Sequence, residues 1–287
     1  MKQIGNYQEL SKLIFYYLKK NVMTNCFLSK SDWELEISLG NVYYFLRERN
    51  LFILRSRKDF WILNYYLNDL EFSSVNLEIP KDILKPIVVE VVGKSELDEK
   101  YQKQQEFFKQ LGMEKVLERE RFENVKQVES TMKKESDLLI ISKNANNGVQ
   151  DFEIILASNT LLPDVLQFLR CNFHVYYGCI PTEEKLKKDI QMGFVYAAMI
   201  EDKIIGVLHF QETDKLAEIR HLAVGEKWRG KGVAGQLMQV YESKVNVQKK
   251  IVWTGRENQN AQKLYQKYGY QKDDYVSSVF WYEKREK

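Results

Sequence analysis

The apolar positions in the first half of the chain predict a helix, an antiparallel meander and a final strand-helix-strand unit. Apolar residues between Leu10 and Leu18 recur at helical spacing, so this segment is predicted to be an amphipathic helix. Three apolar runs follow, separated by polar turns, at residues 42–46, 51–54 and 60–63. Such runs are typical of a meander. The rest of this half predicts a strand, a helix and a strand, at residues 86–92, 96–111 and 115–122.

The second half has a mixed order of strands and helices. Strands are predicted at residues 152–156, 194–200, 204–210, 217–224 and 251–253. Helices are predicted at residues 161–173, 185–191, 233–245 and 260–268. A last strand at residues 276–282 is expected to close this sheet. Hairpins combined with β-α-β units indicate the α/β class, here a mixed (α+β) sheet with helices on both faces.

A polar segment near the middle of the chain predicts a domain boundary. Residues 142–150 contain an Asn-Asn-Gly turn signal and lack any apolar period, so they are predicted to be a linker. A chain of 287 residues is long enough for two domains. We therefore expect one domain at residues 1–141 and a second at residues 151–287.

Composition and charge exclude several kinds of function. The formal net charge is only +3, which is too small to predict a nucleic acid or an anionic membrane as partner. The three cysteines are an odd number at unrelated spacings, so reduced thiols and a cytoplasmic location are expected. The three histidines are scattered, and no metal site is expected. The short apolar run at residues 13–18 does not resemble a signal peptide.

The loop at residues 225–232, between a predicted strand and a predicted helix, carries the most chemical information. Gly230 and Gly232 let backbone amides approach a ligand without a Cβ in the way. Amides at the start of a helix point outward, where the macrodipole is positive, and Arg229 and Lys231 add positive charge. Such a loop suits a pyrophosphate. Its spacing is neither that of the Rossmann fingerprint nor that of a P-loop.

Two motifs in this half resemble those of one superfamily. The loop sequence Arg229-x-x-Gly232-x-Ala234 resembles the Gln/Arg-x-x-Gly-x-Gly/Ala signature of the GNAT (Gcn5-related N-acetyltransferase) superfamily. A second segment resembles the family's next motif: Asn258-x-x-Ala261-x-x-Leu264-Tyr265-x-x-x-Gly269-Tyr270. The motifs occur in the family's order, and the resemblance covers about residues 151–287. It implies a GNAT-like acyltransferase fold and a catalytic role for the C-terminal half.

The resemblance also implies a co-substrate, acetyl-CoA, and no metal. In this family the pyrophosphate of CoA lies on the amides of the glycine-rich loop, and the pantetheine arm pairs with the edge of the preceding strand. The acetyl carbonyl would lie near the Val224 amide. The implied cofactor-binding residues are Leu222, Ala223, Val224, Arg229, Gly230, Lys231, Gly232, Val233, Ala234 and Asn258. An ordinary helix cap is the alternative explanation of Asn258.

Two residues are candidates for catalysis, which needs a neutral amine and a proton for the leaving thiolate. Tyr265 matches the family's general acid, and the alternative is an aromatic side chain packed in the core. Glu218 is the candidate base, because the two-residue period places it on one face with Leu222 and Val224. Its segment also resembles the strand that carries the base in histone acetyltransferases. An ion-paired or solvated Glu218 is the alternative, and His221 is expected to face the other side.

The first half shows a weak echo of the second. Aligning Gly112 with Gly269 puts Phe108 where Tyr265 stands, and phenylalanine cannot donate a proton. Residues 1–141 therefore resemble a smaller, degenerate copy of the same α/β fold with a structural job. The alternative is an unrelated α+β accessory domain.

The function expected from these patterns is an N-acetyltransferase that acts on a primary amine by direct attack in a ternary complex. The acceptor amine would belong to a small molecule or a peptide, and fold alone cannot choose between them. A non-catalytic CoA-binding or regulatory module is the alternative. A third hypothesis, an aminoacyl transferase that uses charged tRNA, needs a basic surface that the net charge does not supply. A homodimer is left open.

Overall fold

The computed structural model describes residues 1–68, 85–125 and 151–283. These residues form 13 strands and seven α-helices. The predicted linker at residues 142–150 lies outside the described residues, and the predicted division into two domains there stays a prediction. No helix in the described parts of the chain is long and apolar enough to cross a membrane.

The order of helices and strands differs between the two halves of the chain. The elements up to residue 125 are β1 (Lys2–Gln3), α1 (Tyr7–Tyr17), β2 (Met23–Thr24), α2 (Lys30–Ser38), β3 (Val42–Arg47), β4 (Asn50–Ser56), β5 (Trp61–Leu67), β6 (Ile87–Gly93), α3 (Glu99–Gln110) and β7 (Glu114–Val125). Those from residue 153 onward are β8 (Glu153–Leu156), α4 (Leu162–Asn172), α5 (Glu183–Gln191), β9 (Val195–Ile200), β10 (Lys203–Glu212), β11 (Leu216–Val224), α6 (Val233–Lys244), β12 (Lys249–Gly255), α7 (Gln259–Lys267) and β13 (Gln271–Tyr282).

Every helix and strand predicted from the apolar pattern is present to within a few residues. The pattern missed α2 and the two-residue strands β1 and β2. Helix α2 buries only two apolar side chains, Trp33 and Ile37, and one such pair is too sparse to define a helical period. The predicted α/β class, with a mixed sheet, is confirmed.

The described residues group into two compact units. Unit 1 takes its residues from Met1–Arg119 and Asp274–Lys287, and unit 2 takes its residues from Glu120–Asp273. These bounds differ from those of the predicted domains, since the C-terminal strand β13 lies mostly in unit 1. Each unit has its own core.

Unit 1 has a sheet in the order β1-β3-β4-β5-β6-β13, and β2 pairs with β5. The strands β3, β4 and β5 form the predicted antiparallel meander. Residues of β4 alternate between two apolar clusters, as a strand covered on both faces should. Phe52 packs in the cluster of Phe107 from α3, whereas Ile53 packs in the cluster of Leu10 from α1 and Trp33 from α2.

Unit 2 has the strand order β12-β11-β10-β9-β8, with β7 next to β12. The predicted hairpin is formed by β9 and β10, and β12 lies parallel to β11. Neighbouring residues of β10 enter different clusters: Val207 packs with Leu186 of α5, and Leu208 packs with Leu237 of α6. The helices α4 and α5 therefore cover one face, and α6 and α7 cover the other.

The C-terminal strand β13 does not pair as expected. We predicted that residues 276–282 would close the sheet of the second half, but they pair antiparallel with β6, from Val276 opposite Gly93 to Tyr282 opposite Ile87. The prediction was wrong because an apolar strand pattern specifies a buried face and does not specify which neighbour it pairs with.

Candidate active site

Strand β11 is paired on both sides only in its first half. Its parallel pairing with β12 ends at Ile219 opposite Val252, whereas its antiparallel pairing with β10 continues to Val224 opposite Gly206. Among the described strand pairs, residues 220–224 therefore have a neighbour on the β10 side alone. We call residues 220–224 the unpaired segment.

The amides of the unpaired segment alternate in direction. The Gly225 N–H donates to the Ile205 carbonyl of β10 at 2.9 Å. Successive residues of an antiparallel strand point their amides to opposite edges, so the N–H groups of Leu222 and Val224 point away from β10. They face the edge that β12 no longer covers. An extended ligand can add to such an edge as a further strand.

A β-bulge in the middle of β11 changes which side chains share a face. Phe210 pairs with Ile219, but its neighbour His209 pairs with His221, so Arg220 is an extra residue. A bulge of this kind resets the two-residue alternation of the strand. Glu218, which lies opposite Gln211, is therefore on the same face as His221.

The expected grouping of β11 side chains was accordingly wrong. We predicted Glu218 on one face with Leu222 and Val224, and His221 on the other. Leu222 and Val224 instead lie on the face of α6, within the apolar cluster that contains Leu237. Periodicity could not reveal this, because the bulge arises from the pairing with β10 and leaves no mark in the sequence of β11 alone.

Glu218 is ion-paired in this structure. The Arg220 Nη1 donates to the Glu218 Oε1 at 2.7 Å, and the two side chains are 32% and 23% exposed. The partial exposure leaves the carboxylate within reach of water. Glu218 thus adopts the ion-paired alternative, and its role as a base stays a prediction.

The glycine-rich loop leads directly into α6 with an exposed set of amides. Gly230 and Gly232 have φ values of 75° and 85°. Residues other than glycine adopt such positive φ values only at a cost in free energy. Gly232 is the N-cap and supplies no side-chain acceptor, and the first helical turn has no acidic residue. The first bond within the helix runs from the Gln236 N–H to the Gly232 carbonyl at 3.1 Å. The N–H groups of residues 233–235 therefore have no acceptor inside the helix.

Two cationic side chains flank these amides. Arg229 reaches back to the end of β11, where its Nε donates to the Val224 carbonyl at 3.1 Å. The Lys231 Nζ lies 4.6 Å from the centroid of the Trp228 ring. Both residues are exposed. Together with the positive end of the α6 macrodipole, they make this surface favourable for a multiply charged anion.

Close packing holds α6 against β10 at the start of the site. Val233 is buried, and a Cβ on Gly206 would lie 3.0 Å from its Cγ1 and 3.1 Å from the Leu237 Cδ1. Gly206 thus allows the helix to approach the strand. Sequence reasoning missed this residue, although a glycine within an apolar strand is a signal of close backbone approach.

Tyr265 lies on α7 and is 5% exposed. Its ring centroid is 6.0 Å from that of Tyr270. Burial raises the pKa of the Tyr265 phenol well above its ordinary value, so the hydroxyl keeps its proton at neutral pH. Within the described residues, this hydroxyl makes no hydrogen bond. A buried phenol of this kind has a proton to offer to a substrate.

Asn258 is the N-cap of α7. Its side-chain oxygen accepts a hydrogen bond from the Ala261 N–H at 3.2 Å. This is the alternative role of an ordinary helix cap, and contact with a cofactor stays a prediction.

A buried pair of histidines joins β10 to the unpaired segment, and no sequence motif connects them. His209 and His221 are 12 residues apart, and their Nδ1 atoms are 3.1 Å from each other. Asp189 of α5 lies 3.0 Å from the other nitrogen of His209. Among the described residues, no group of three or more His, Cys, Asp or Glu side chains is arranged to hold a metal ion.

Comparison with known proteins finds a family model that matches part of the second half. Residues 173–279 match the family model described as an acetyltransferase (GNAT) domain. A GCN5-related N-acetyltransferase from Sphaerobacter thermophilus is similar in structure, with 13% identity and a TM-score of 0.52 over 82% of this chain and 76% of that chain. A functionally unknown conserved protein from Staphylococcus epidermidis has 15% identity and a TM-score of 0.50 over 88% and 97%.

These two structural likenesses show the fold alone. No curated protein sequence matches the chain. The family model covers the hairpin of β9 and β10, the unpaired segment, the glycine-rich loop and α7, which together make up the candidate site. Residues 173–279 of the chain therefore resemble an acetyltransferase (GNAT) domain.

Proposed function

We propose that the protein is an acetyl-CoA-dependent N-acetyltransferase that moves the acetyl group to a primary amine of a small molecule or a peptide. The observation that carries this proposal is the pairing of two features. The uncapped start of α6 offers amides to a pyrophosphate, and the adjacent unpaired segment offers an open strand edge to an extended ligand. Few ligands other than CoA need both.

The residues around the loop fit the two ends of CoA. The amides from Gly230 to Ala234 and the cations of Arg229 and Lys231 would bind the pyrophosphate. The outward amides of Leu222 and Val224 would pair with the amide groups of pantetheine. The backbone of Ala223 would support the pairing with pantetheine, and the buried Val233 side chain would support the loop from the core. Asn258 would border the cofactor.

The proposed reaction is direct attack in a ternary complex. The neutral amine attacks the acetyl carbonyl carbon, so that a C–N bond forms and the C–S bond breaks. The Val224 N–H would stabilise the charge that develops on the carbonyl oxygen. Tyr265 would donate its proton to the leaving thiolate, and Glu218 would take the proton of the amine, directly or through a water molecule.

Release of CoA thiol in the presence of a panel of primary amines tests the proposal. Acetyl-CoA is supplied with amino acids, peptides, polyamines and aminoglycosides, and CoA affinity is measured separately by calorimetry. We expect thiol release that depends on at least one amine, together with a labelled acetyl group on that amine. CoA binding without release for any amine would instead support the non-catalytic module, and no binding would refute both.

We also infer a cytoplasmic location. The three cysteines, Cys26, Cys171 and Cys179, are free thiols in the structure. Free and partly exposed thiols are typical of a reducing compartment.

A further inference from the structure

A buried line of hydrogen bonds joins α5 to the loop that precedes it. Asp189 Oδ2 lies 3.0 Å from His209 Nε2, His209 Nδ1 lies 3.1 Å from His221 Nδ1, and His221 Nε2 lies 3.0 Å from the Gly178 carbonyl oxygen. Asp189 and the two histidines are each only 2% exposed. The line thus ends at the loop of residues 173–182, which we call the α4–α5 loop.

This line of hydrogen bonds needs one proton more than neutral histidine side chains supply. Each of the three contacts requires one hydrogen, because two facing lone pairs repel. The Gly178 carbonyl can only accept, and two neutral imidazoles carry one N–H each. The Asp189 carboxylate can also only accept. A third proton is therefore shared by His209 and His221, and the pair is cationic whenever all three bonds are made.

The surroundings of the pair favour an ionised Asp189. Burial raises the pKa of its carboxyl, but hydrogen bonds and charges from His209 and Lys185 outweigh burial and hold the pKa below its ordinary value. Lys185 Nζ lies 2.9 Å from Asp189 Oδ1. When the extra proton is present, it is therefore on the imidazoles, where the carboxylate can balance its charge.

The surroundings of His209 disfavour the extra proton. Burial lowers the pKa of His209, and Arg220 and Lys185 lower it further, whereas Asp189 raises it without reversing the shift. Glu218 on the same strand face is a further titratable group on this side of β11, as are His174, Tyr176, Tyr177 and Cys179 on the α4–α5 loop. The line is thus complete at acidic pH and loses its third hydrogen as the pH rises through the pKa of the pair.

The α4–α5 loop is shaped so that its carbonyl meets His221. Gly178 closes a tight turn, in which its N–H donates to the His174 carbonyl at 2.7 Å. A Cβ on Gly178 would lie 2.5 Å from that carbonyl oxygen, so the turn admits only glycine. The Phe173 ring also packs edge-on against His221, with the ring centroids 4.8 Å apart. Loop and unpaired segment are therefore fastened to each other through His221.

We propose that His221, supported by His209 and Asp189, is a positioning residue that holds the α4–α5 loop beside the acyl site through a shared proton. This inference rests on the proposed function, in which the acyl group lies at Val224, three residues from His221. The loop covers the face of β11 opposite α6. It would therefore border the acceptor amine and not the pyrophosphate.

Two substitutions test the roles of the two ring nitrogens of His221 one at a time. In His221→Gln, the amide nitrogen can still donate to Gly178, and it needs no shared proton. In His221→Asn, the shorter amide can still meet His209 but cannot reach Gly178. The first variant should keep the loop in place at every pH, and the second should release it.

Hydrogen exchange of the Gly178 amide tests the inference without any substrate. As the pH is lowered from 7.5, and after correction for intrinsic rates, we expect protection in the natural protein to rise by up to about tenfold, as for one charge-assisted hydrogen bond. His221→Gln should show protection that does not change with pH, and His221→Asn should show little protection at any pH. Protection in the natural protein that is independent of pH, or natural protection in His221→Asn, would overturn the inference.

Kinetics with an accepted amine supply the second readout. His221→Asn should raise the KM for the amine about tenfold while kcat and the Kd for CoA stay within about twofold, because a released loop loses one ordered contact with the acceptor. A fall in kcat at unchanged KM would contradict a positioning role. If CoA failed to bind even to the natural protein, the proposed function would fail, while the exchange experiment would still decide the role of His221.

Discussion

At the scale of single residues, the contrast between Tyr265 and Phe108 separates packing from chemistry. Both side chains are buried, and both precede a glycine with positive φ. Their carbonyls also accept the same kind of bond, from the Tyr270 N–H at 3.1 Å and from the Met113 N–H at 3.0 Å. Packing and helix termination therefore explain an aromatic ring at both positions. Only a hydroxyl at Tyr265 requires another reason, and proton donation supplies one.

Tyr265→Phe should lower kcat and leave CoA binding unchanged. Burial raises the pKa of Tyr265, so the natural phenol is protonated throughout the neutral range and can protonate the thiolate. Loss of a general acid typically costs about 10²- to 10⁴-fold in rate. The measurement is steady-state turnover beside calorimetry with CoA.

Tyr270→Phe is the matched control, since it removes a phenol that donates to Glu242 Oε1 at 3.1 Å within the same cluster. Tyr270→Phe should lower the free energy of unfolding by about 1 kcal/mol. It should leave kcat nearly unchanged. Equal turnover in Tyr265→Phe and the natural protein would remove Tyr265 from the mechanism.

At the scale of elements, the sequence predicted what depends on local pattern and missed what depends on pairing. The glycine-rich loop and the start of α6 were predictable, because positive φ and helix initiation follow from residue type. The bulge at Arg220 was not, because it appears only when β11 is aligned with β10. The histidine pair was missed for the same reason, since its residues and their aspartate partner belong to two strands and a helix.

The start of α6 can be tested with two matched glycine substitutions. Gly232→Glu places a carboxylate at the proposed pyrophosphate site, where like charges should weaken CoA binding by on the order of 10²-fold or more. Gly193→Glu is the control, because Gly193 has a φ of 76° against 85° for Gly232, and neither would bring a Cβ within 4 Å of another group. Both variants carry a similar backbone cost of about 1 kcal/mol.

Calorimetric titration with CoA measures the difference between these variants. Affinity should be lost in Gly232→Glu and retained in Gly193→Glu. Similar affinity in both would show that the amides of residues 230–234 do not bind the pyrophosphate.

At the scale of the whole molecule, the two units contain the same local strand-helix arrangement, but the proposed catalytic residues lie in unit 2 alone. In each, a strand that pairs in parallel with its predecessor is followed by a helix with a glycine stop: β6 and α3 in unit 1, β12 and α7 in unit 2. This agrees with the resemblance seen in the sequence, and a degenerate copy in the first half stays a prediction. The sequence indicated the echo, but it did not predict that β13 pairs with β6.

That pairing predicts which unit a change in the last strand destabilises. Phe280 is fully buried in the apolar cluster of unit 1, with its ring centroid 6.1 Å from that of Phe108. Phe280→Ala should therefore lower the free energy of unfolding of unit 1 by about 3–5 kcal/mol. Hydrogen exchange in mild denaturant should show faster exchange of β4, β5 and α3, although all three are distant from Phe280 in the sequence.

The same experiment should leave β9, β10 and β11 protected, because Phe280 is absent from both apolar clusters of unit 2. Gln271→Ala is the control, since Gln271 lies exposed at the start of the same strand and such a change usually alters stability by less than about 0.5 kcal/mol. If Phe280→Ala exposed the amides of β10 and left those of β4 protected, β13 would belong energetically to the second half. The division predicted from the sequence, with residues 151–287 as one folding unit, would then be the better description.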